Sequence, residues 1–159
     1  MILTIVILLV ILIAPFVYLS YQALTEYTSE VSSYELAKYL KLPKEKQRKY
    51  LINKYLQGVT IPEGYIIAFK GFSANMTCRG FKYKEGETYT IDSTPITCNV
   101  GFHACLMPRE VADYYNEEDC KFHIVFLKEV DPYYAGLDSK KCAKTIKIGP
   151  RIPSDFIII

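Results

Sequence analysis

The chain begins with a long uninterrupted apolar stretch. No charged side chain occurs from Met1 to Thr25, and Ile2–Val17 reads ILTIVILLVILIAPFV. A helix of about 20 apolar residues, rising 1.5 Å per residue, crosses a hydrocarbon layer of ~30 Å. The pattern therefore predicts one uncleaved transmembrane helix, a signal-anchor, from Ile2 to about Leu24.

Two alternatives to this anchor are a cleaved signal peptide and a buried core helix. A signal peptide has basic residues before its apolar core and small residues at positions −3 and −1 of its cleavage site. No Lys or Arg precedes Lys38, and cleavage after Ala23 would place Tyr21 at −3. The anchor is therefore preferred, with a membrane as the location and membrane lipid as a partner. The side of the membrane on which the remaining chain lies stays open.

A polar segment with two short helices is predicted at residues 26–61. Ser32 and Glu35 have the spacing of a capping box. Pro43 suits the first turn of a second helix, which Gly58 ends. The basic run KEKQRK in this helix is interpreted as the solvated face of an amphipathic helix, and the alternative is a surface that binds phosphate or lipid headgroups.

Strand patterns dominate residues 62–159. Period-two alternation or short apolar runs predict strands at Tyr65–Phe69, 99–105, 121–130 and 143–149, and the tail SDFIII predicts an edge strand. The segment RGFKYKEGETYTI at 79–91 predicts a hairpin turning at Glu85–Glu87. The segment REVADYY, led by Pro108, predicts a helix.

These patterns predict an α+β fold with an N-terminal transmembrane helix, short amphipathic helices, and a mainly antiparallel sheet with one inserted helix. The predicted domains are an anchor at 1–25, a helical connector at 26–61 and an α+β domain at 62–159.

Charge and cysteine content narrow the chemistry. A formal net charge of +2, spread along the chain, gives no case for nucleic acid. The cysteines lack the paired spacing of a zinc site, so no metal is predicted. In an oxidising compartment they would form two disulfides and leave one thiol, and in a reducing compartment they would be small buried hydrophobes. The candidates are Cys78, Cys98, Cys105, Cys120 and Cys142.

Cysteine and histidine residues also suggest a nucleophile with a base. Cys98 or Cys105 would be the nucleophile and His103 or His123 the base. Because strand side chains alternate, His103 and Cys105 share a face whether or not they are catalytic. They are therefore interpreted as packed strand residues, and no catalytic residue is assigned.

Four sequence blocks carry a resemblance to a known family. They are AFKGF at 68–72, CRGFKY at 78–83, GFHAC at 101–105 and DSKKCAKTIKIG at 138–149. Their order and spacing resemble a small domain of unknown function in proteins of bacteriophages and large DNA viruses. The resemblance implies a viral origin and no particular reaction.

A second resemblance is to the ADP-ribosyltransferase fold, through the rhythm of GFHACLMPREVADYY. It implies that Lys70 and Gly71 meet a nicotinamide amide through the backbone, although Lys70 stands where that family has His or Arg. It also implies that Tyr114 or Tyr115 stacks on the nicotinamide. The family's late-strand Glu has only Glu129 as a counterpart.

The preferred functional prediction is a single-pass membrane-anchored viral structural or interaction protein. It would be a minor virion or capsid-associated component with other viral or capsid proteins as partners, and no cofactor. The alternative is a membrane-tethered ADP-ribosyltransferase-like or NAD-binding domain, with Lys70, Gly71, Tyr114 and Tyr115 at its site. Enzymatic activity is the less favoured outcome, because no well-placed carboxylate accompanies these residues.

Overall fold

The structure, a computed structural model, describes residues 31–117, 119–132 and 138–158. Within these residues, no helix is long and apolar enough to cross a membrane. The longer α-helix has 12 residues, a length of about 18 Å at 1.5 Å per residue, and its sequence is rich in Lys. The predictions of a fold with a transmembrane helix, of a single-pass membrane protein and of a membrane location are corrected accordingly. The segment Ile2–Leu24, on which they were based, lies outside the described residues.

In the described residues two α-helices precede the sheet, α1 at Ser33–Leu40 and α2 at Lys44–Tyr55. The Ser32 hydroxyl caps α1 by accepting a hydrogen bond from the Glu35 N–H at 3.2 Å, as the capping-box spacing predicts. The Glu35 carboxylate accepts hydrogen bonds from Tyr50 and Lys54 of α2. This shared carboxylate holds the two helices together.

The basic run in α2 contacts the sheet domain through Arg48. Its guanidinium donates hydrogen bonds to the carbonyl oxygens of Leu106 and Ile67, both at 3.0 Å. Gln47 beside it is buried and donates to the Tyr39 carbonyl. Part of this run is therefore structural, while its lysines are exposed.

The described strands and 3-10 helices follow in chain order. The strands are β1 Ile66–Phe72, β2 Thr77–Cys78, β3 Phe81–Lys82, β4 Thr88–Thr90, β5 Phe102–Cys105, β6 Lys121–Val130 and β7 Lys140–Ile152. The 3-10 helices are Pro108–Asp113, between β5 and β6, and Ser154–Phe156, after β7.

The main sheet is antiparallel and its pairing closes on itself. Strand β1 pairs with β5 and β6, and β7 pairs with the same two strands, so four strands form a ring. Strand β4 pairs with β7 at its edge, and β2 pairs with β3 as a separate hairpin. The ring encloses the core and leaves β4 and the β2–β3 hairpin beside one face of β5.

Two sequence predictions of local structure are wrong. The predicted hairpin at 79–91 does not form, because β3 pairs with β2 and β4 pairs with β7. The tail Ser154–Phe156 is a 3-10 helix instead of an edge strand, since Phe156 is buried against Tyr39 and Tyr50. The predicted helix after Pro108 does form, as a 3-10 helix.

The core lies between the ring strands. One cluster of buried, mainly aliphatic and aromatic side chains consists of Ala68, Phe72, Tyr83, Phe102, Ala104, Val125, Leu127, Ala143, Ile146 and Ile148. Phe102 and Ala104 belong to this cluster, as the alternation of the GFHAC strand predicts. The buried strands hold fixed the neighbouring residues that face a large cleft.

Candidate functional site

A cleft of about 680 Å³ lies beside β1 and β5. The β2–β3 hairpin, β4 and the 3-10 helix Pro108–Asp113 with the tyrosines after it also contribute to its lining. Its volume falls within the range of pockets that bind small molecules, about 300–1,000 Å³. The cleft is therefore large enough for a ligand of nucleotide size.

One part of the cleft is aromatic. Phe81, Tyr83, Tyr89 and Phe102 line it, and their ring centroids lie 4.8–6.3 Å apart, mostly in edge-on arrangements. Tyr83 and Phe102 are only 7% exposed, whereas Phe81 is 46% exposed. An exposed ring supported by buried ones offers a rigid surface on which a flat ligand can stack.

Three basic side chains also line the cleft: Lys70, Arg79 and Lys140. Among the described lining residues there is no Asp or Glu. Lys70 is 5% exposed, and its ammonium donates to the His103 carbonyl at 2.7 Å. The lining is therefore electropositive, which suits an anionic ligand.

Arg79 owes its position to a tight turn. Cys78 pairs with Phe81, so Arg79 and Gly80 alone connect β2 to β3. Both have positive φ, 50° and 78°, as in the type I′ turn that suits two-residue hairpins. The turn brings an exposed guanidinium to the opening of the cleft.

The positive charge around the cleft affects the pKa of His103. Its pKa is lowered, first by burial and then by the charges of Lys70 and Arg79, with a smaller contribution from Lys140. The His103 Nε2 atom accepts a hydrogen bond from the Cys98 backbone N–H at 2.9 Å. The Nε2 atom of His103 is therefore engaged by the backbone.

Gly71 and Tyr115 pack in direct contact at the bottom of the cleft. A Cβ atom added to Gly71 would lie 2.4 Å from the Tyr115 Cγ atom and 2.6 Å from its Cβ atom. The Tyr115 hydroxyl donates to the Cys78 sulfur at 2.8 Å. Burial, with this hydrogen bond as the next cause, raises the Tyr115 pKa well above its usual value.

Tyr114 lies at the exposed side of the cleft. Its ring is 49% exposed, and its hydroxyl donates to the Asp138 carboxylate. The Lys140 ammonium lies 5.0 Å from the centre of this ring and 3.8 Å from the Asp138 carboxylate. Tyr114 is therefore an accessible aromatic ring held in place by a charged pair.

The structure brings together the residues that the ADP-ribosyltransferase resemblance singled out. Lys70, Gly71, Tyr114 and Tyr115 all line the cleft. Glu129 is not among its lining residues, and it lies 3.7 Å from Lys144 on β6 and β7. Sequence reasoning missed the remaining basic and aromatic residues, Arg79, Lys140, Phe81 and Tyr89.

All five cysteines are free thiols. Cys78, Cys98 and Cys105 line the cleft, and Cys120 and Cys142 are buried elsewhere. Burial raises the pKa of Cys105 to about 12 and that of Cys142 to about 11. Pairing of these thiols into disulfides stays a prediction.

One group of possible metal ligands lies apart from the cleft. Ligand atoms of Glu117, Asp119 and Cys120 lie within 4.8 Å of one another, with both acidic residues exposed. None of the three lines the cleft. The chemistry of the cleft therefore rests on its aromatic, basic and thiol groups.

These features define a small antiparallel domain with a basic, aromatic, ligand-sized cleft. The chain belongs to the family described as Domain of unknown function (DUF7666), which matches residues 66–159. That range includes every strand and the whole described lining of the cleft. Neither the curated proteins nor the solved structures with which the sequence was compared gave a match.

Proposed function

We propose that this domain binds a small anionic ligand with a flat ring, of the nucleotide class. The observation that supports this proposal most is the composition of the cleft lining, which combines an exposed aromatic ring with three basic side chains and in its described part includes no Asp or Glu. A nucleotide has matching parts, since its base stacks on aromatic rings and its phosphates pair with Lys and Arg.

The aromatic contacts favour the base. Phe81 and Tyr114 are each about half exposed at the cleft, 46% and 49% respectively. Water solvates the face of an exposed aromatic ring poorly. Stacking of one base on such a ring contributes ~1–3 kcal/mol to the free energy of binding. Either ring would therefore gain free energy by covering its face with a heterocycle.

The dinucleotide NAD is the particular ligand that the ADP-ribosyltransferase resemblance favours, since Lys70, Gly71, Tyr114 and Tyr115 line the cleft. We expect binding without turnover. Cleavage of NAD passes through a transition state with positive charge on the ribose, and a nearby carboxylate stabilises such charge. No Asp or Glu belongs to the described lining, and the Asp138 carboxylate beside it is engaged by the Tyr114 hydroxyl and the Lys140 ammonium.

Calorimetric titration of the full-length chain with ADP, NAD and adenosine tests the proposal. ADP and NAD are expected to bind, and adenosine to bind more weakly. Added salt should weaken the binding of ADP far more than that of adenosine. Arg79→Gln should raise the Kd for ADP on the order of tenfold, because a hydrogen bond to a charged group contributes ~1.5 kcal/mol.

Arg151→Gln is the matched control, because Arg151 is also exposed and does not line the cleft. It should leave ADP affinity unchanged. Equal losses in the Arg79 and Arg151 variants would contradict the site, and so would equal affinity for ADP and adenosine.

The viral structural or interaction role expected from the sequence stays a prediction. No described contact favours it over ligand binding, and membrane attachment is not carried forward.

A further inference from the structure

A thiol, an amine and a phenol meet at the bottom of the cleft. The Cys78 sulfur lies 3.7 Å from the Lys70 ammonium nitrogen and 2.8 Å from the Tyr115 hydroxyl oxygen. Cys78 is partly exposed and lines the cleft, whereas Lys70 is almost fully buried. The thiol is therefore accessible to a ligand, while Lys70 is shielded from water and Tyr115 is partly buried.

We infer that Cys78 is a nucleophilic thiol that forms a covalent bond with an electrophilic carbon of an anionic ligand held in the cleft. Thiolates, not thiols, are the nucleophiles, and a neighbouring cation or hydrogen-bond donor stabilises them. Lys70 becomes the cation beside the sulfur when its amine accepts the thiol proton, and the Tyr115 hydroxyl is the donor.

The step balances without a further reactant. The thiol proton moves from the Cys78 sulfur to the Lys70 nitrogen, and a sulfur electron pair forms the S–C bond. The bond from that carbon to its leaving group breaks, and the leaving group departs with the bonding pair as an anion. Burial lowers the Lys70 pKa, so its amine form is accessible as the proton acceptor, and the Tyr115 hydroxyl stabilises the sulfur's negative charge.

The other two cysteines of the cleft lack this arrangement. Cys105 is buried, and burial raises its pKa to about 12. Cys98 also has a cation, since its thiol hydrogen-bonds Lys140, but Cys98 is exposed, so water and salt screen that charge. Cys98 is therefore a stringent comparison, being the more accessible thiol with a weaker electrostatic environment.

The ligand class rests on the proposed function, because Lys70, Arg79 and Lys140 make the cleft attractive to anions. The nucleophilicity of Cys78 rests only on its contacts with Lys70 and Tyr115. The two parts can therefore be tested separately with one neutral and one anionic alkylating reagent.

The experiment is alkylation of the full-length chain with limiting iodoacetamide or iodoacetate near neutral pH, with the rate at each cysteine read by peptide mass spectrometry. Each rate is compared with that of the same cysteine in the urea-unfolded chain. The variants are Lys70→Met, which removes the amine, and Tyr115→Phe, which removes the hydroxyl alone. Buried Cys142 reports folding, since it reacts only if the chain unfolds.

We expect folding to accelerate the reaction of Cys78 and to leave Cys98 unaccelerated. Lys70→Met should slow Cys78 on the order of tenfold, and Tyr115→Phe by a smaller factor, with Cys98 unchanged and Cys142 protected. The ratio of the iodoacetate rate to the iodoacetamide rate at Cys78 should be higher in the folded chain than in the unfolded chain.

Cys78 reacting no faster in the folded than in the unfolded chain would overturn the nucleophile. If Lys70→Met exposes Cys142, then Tyr115→Phe and the wild-type folding comparison decide the matter. If folding accelerates the alkylation of Cys78 but iodoacetate is not favoured over iodoacetamide, Cys78 is still a nucleophile. That result would contradict an anionic ligand and therefore count against the proposed function.

Discussion

At the scale of single residues, the contact between Gly71 and Tyr115 fixes the bottom of the cleft. The ring approaches the β1 backbone so closely that no side chain fits between them. The sequence shows a glycine before an aromatic residue and does not reveal what occupies the space above it. Only the fold shows that Tyr115 packs on this glycine.

Substituting Gly71 tests this packing. Gly71→Ala would place a methyl carbon 2.4 Å from the Tyr115 Cγ atom, and such overpacking costs ~1–3 kcal/mol of unfolding free energy. Urea denaturation should show this loss. In a Tyr115→Ala background the same substitution should cost less, and an equal cost in both backgrounds would contradict the contact.

A buried histidine makes stability depend on pH. His123 lies inside the sheet with its Nδ1 atom 3.0 Å from the Gly149 carbonyl oxygen, and burial lowers its pKa below 6.5. The unfolded chain therefore binds the proton more readily, and stability falls as pH decreases below 6.5. His103 shifts in the same direction.

Urea denaturation across this range measures the effect. The unfolding midpoint should be constant above neutrality and decrease from about pH 6.5 to pH 5, before carboxylates such as Glu35 and Glu110 protonate. His123→Asn should flatten part of this slope. A midpoint that rises on acidification would refute the assignment.

At the scale of elements, Arg48 is one of several links between α2 and the sheet domain, beside the Lys44–Glu110 ion pair and the packing of Tyr50 on Phe156. Arg48 donates hydrogen bonds to two carbonyl oxygens, those of Ile67 and Leu106, each at 3.0 Å. Arg48→Met would leave both acceptors without this partner, at a cost of ~1–3 kcal/mol.

Thermal or urea unfolding of the Arg48→Met variant checks this. Lys49→Met is the matched control, since Lys49 is exposed in the same helix, and surface substitutions usually stay within ~0.5 kcal/mol. Comparable losses of unfolding free energy in the two variants would show that the two Arg48 hydrogen bonds do not stabilise the attachment of α2.

The elements themselves were predictable to different degrees. Strand β6 was predicted with its observed bounds because its apolar run is long. Strand β7 extends beyond its predicted range at both ends. At its C-terminal end, Gly149 and Pro150 interrupt the alternating pattern from which a strand is predicted. The predicted hairpin at 79–91 is wrong because Tyr83, which follows β3, packs its ring on Tyr89 of β4 although β3 and β4 do not pair.

At the scale of the whole molecule, the site is an assembly of distant segments. The basic residues come from positions 70, 79 and 140, and the aromatic wall comes from three strands and a loop. Lys70, Gly71, Tyr114 and Tyr115 were reached through a resemblance. Arg79 and Lys140 were not predicted, since only the two-residue turn and the β5–β7 pairing bring them to the cleft.

Chemical-shift mapping of the full-length, nitrogen-15-labelled chain with ADP tests the central claim most directly, because it locates the ligand as well as detecting it. The account predicts shifts at the backbone amides of Gly71, Arg79 and Gly101, which line the cleft, and unchanged amides in α2. Shifts concentrated on the exposed lysines of α2, or no shifts at saturating ADP, would contradict it.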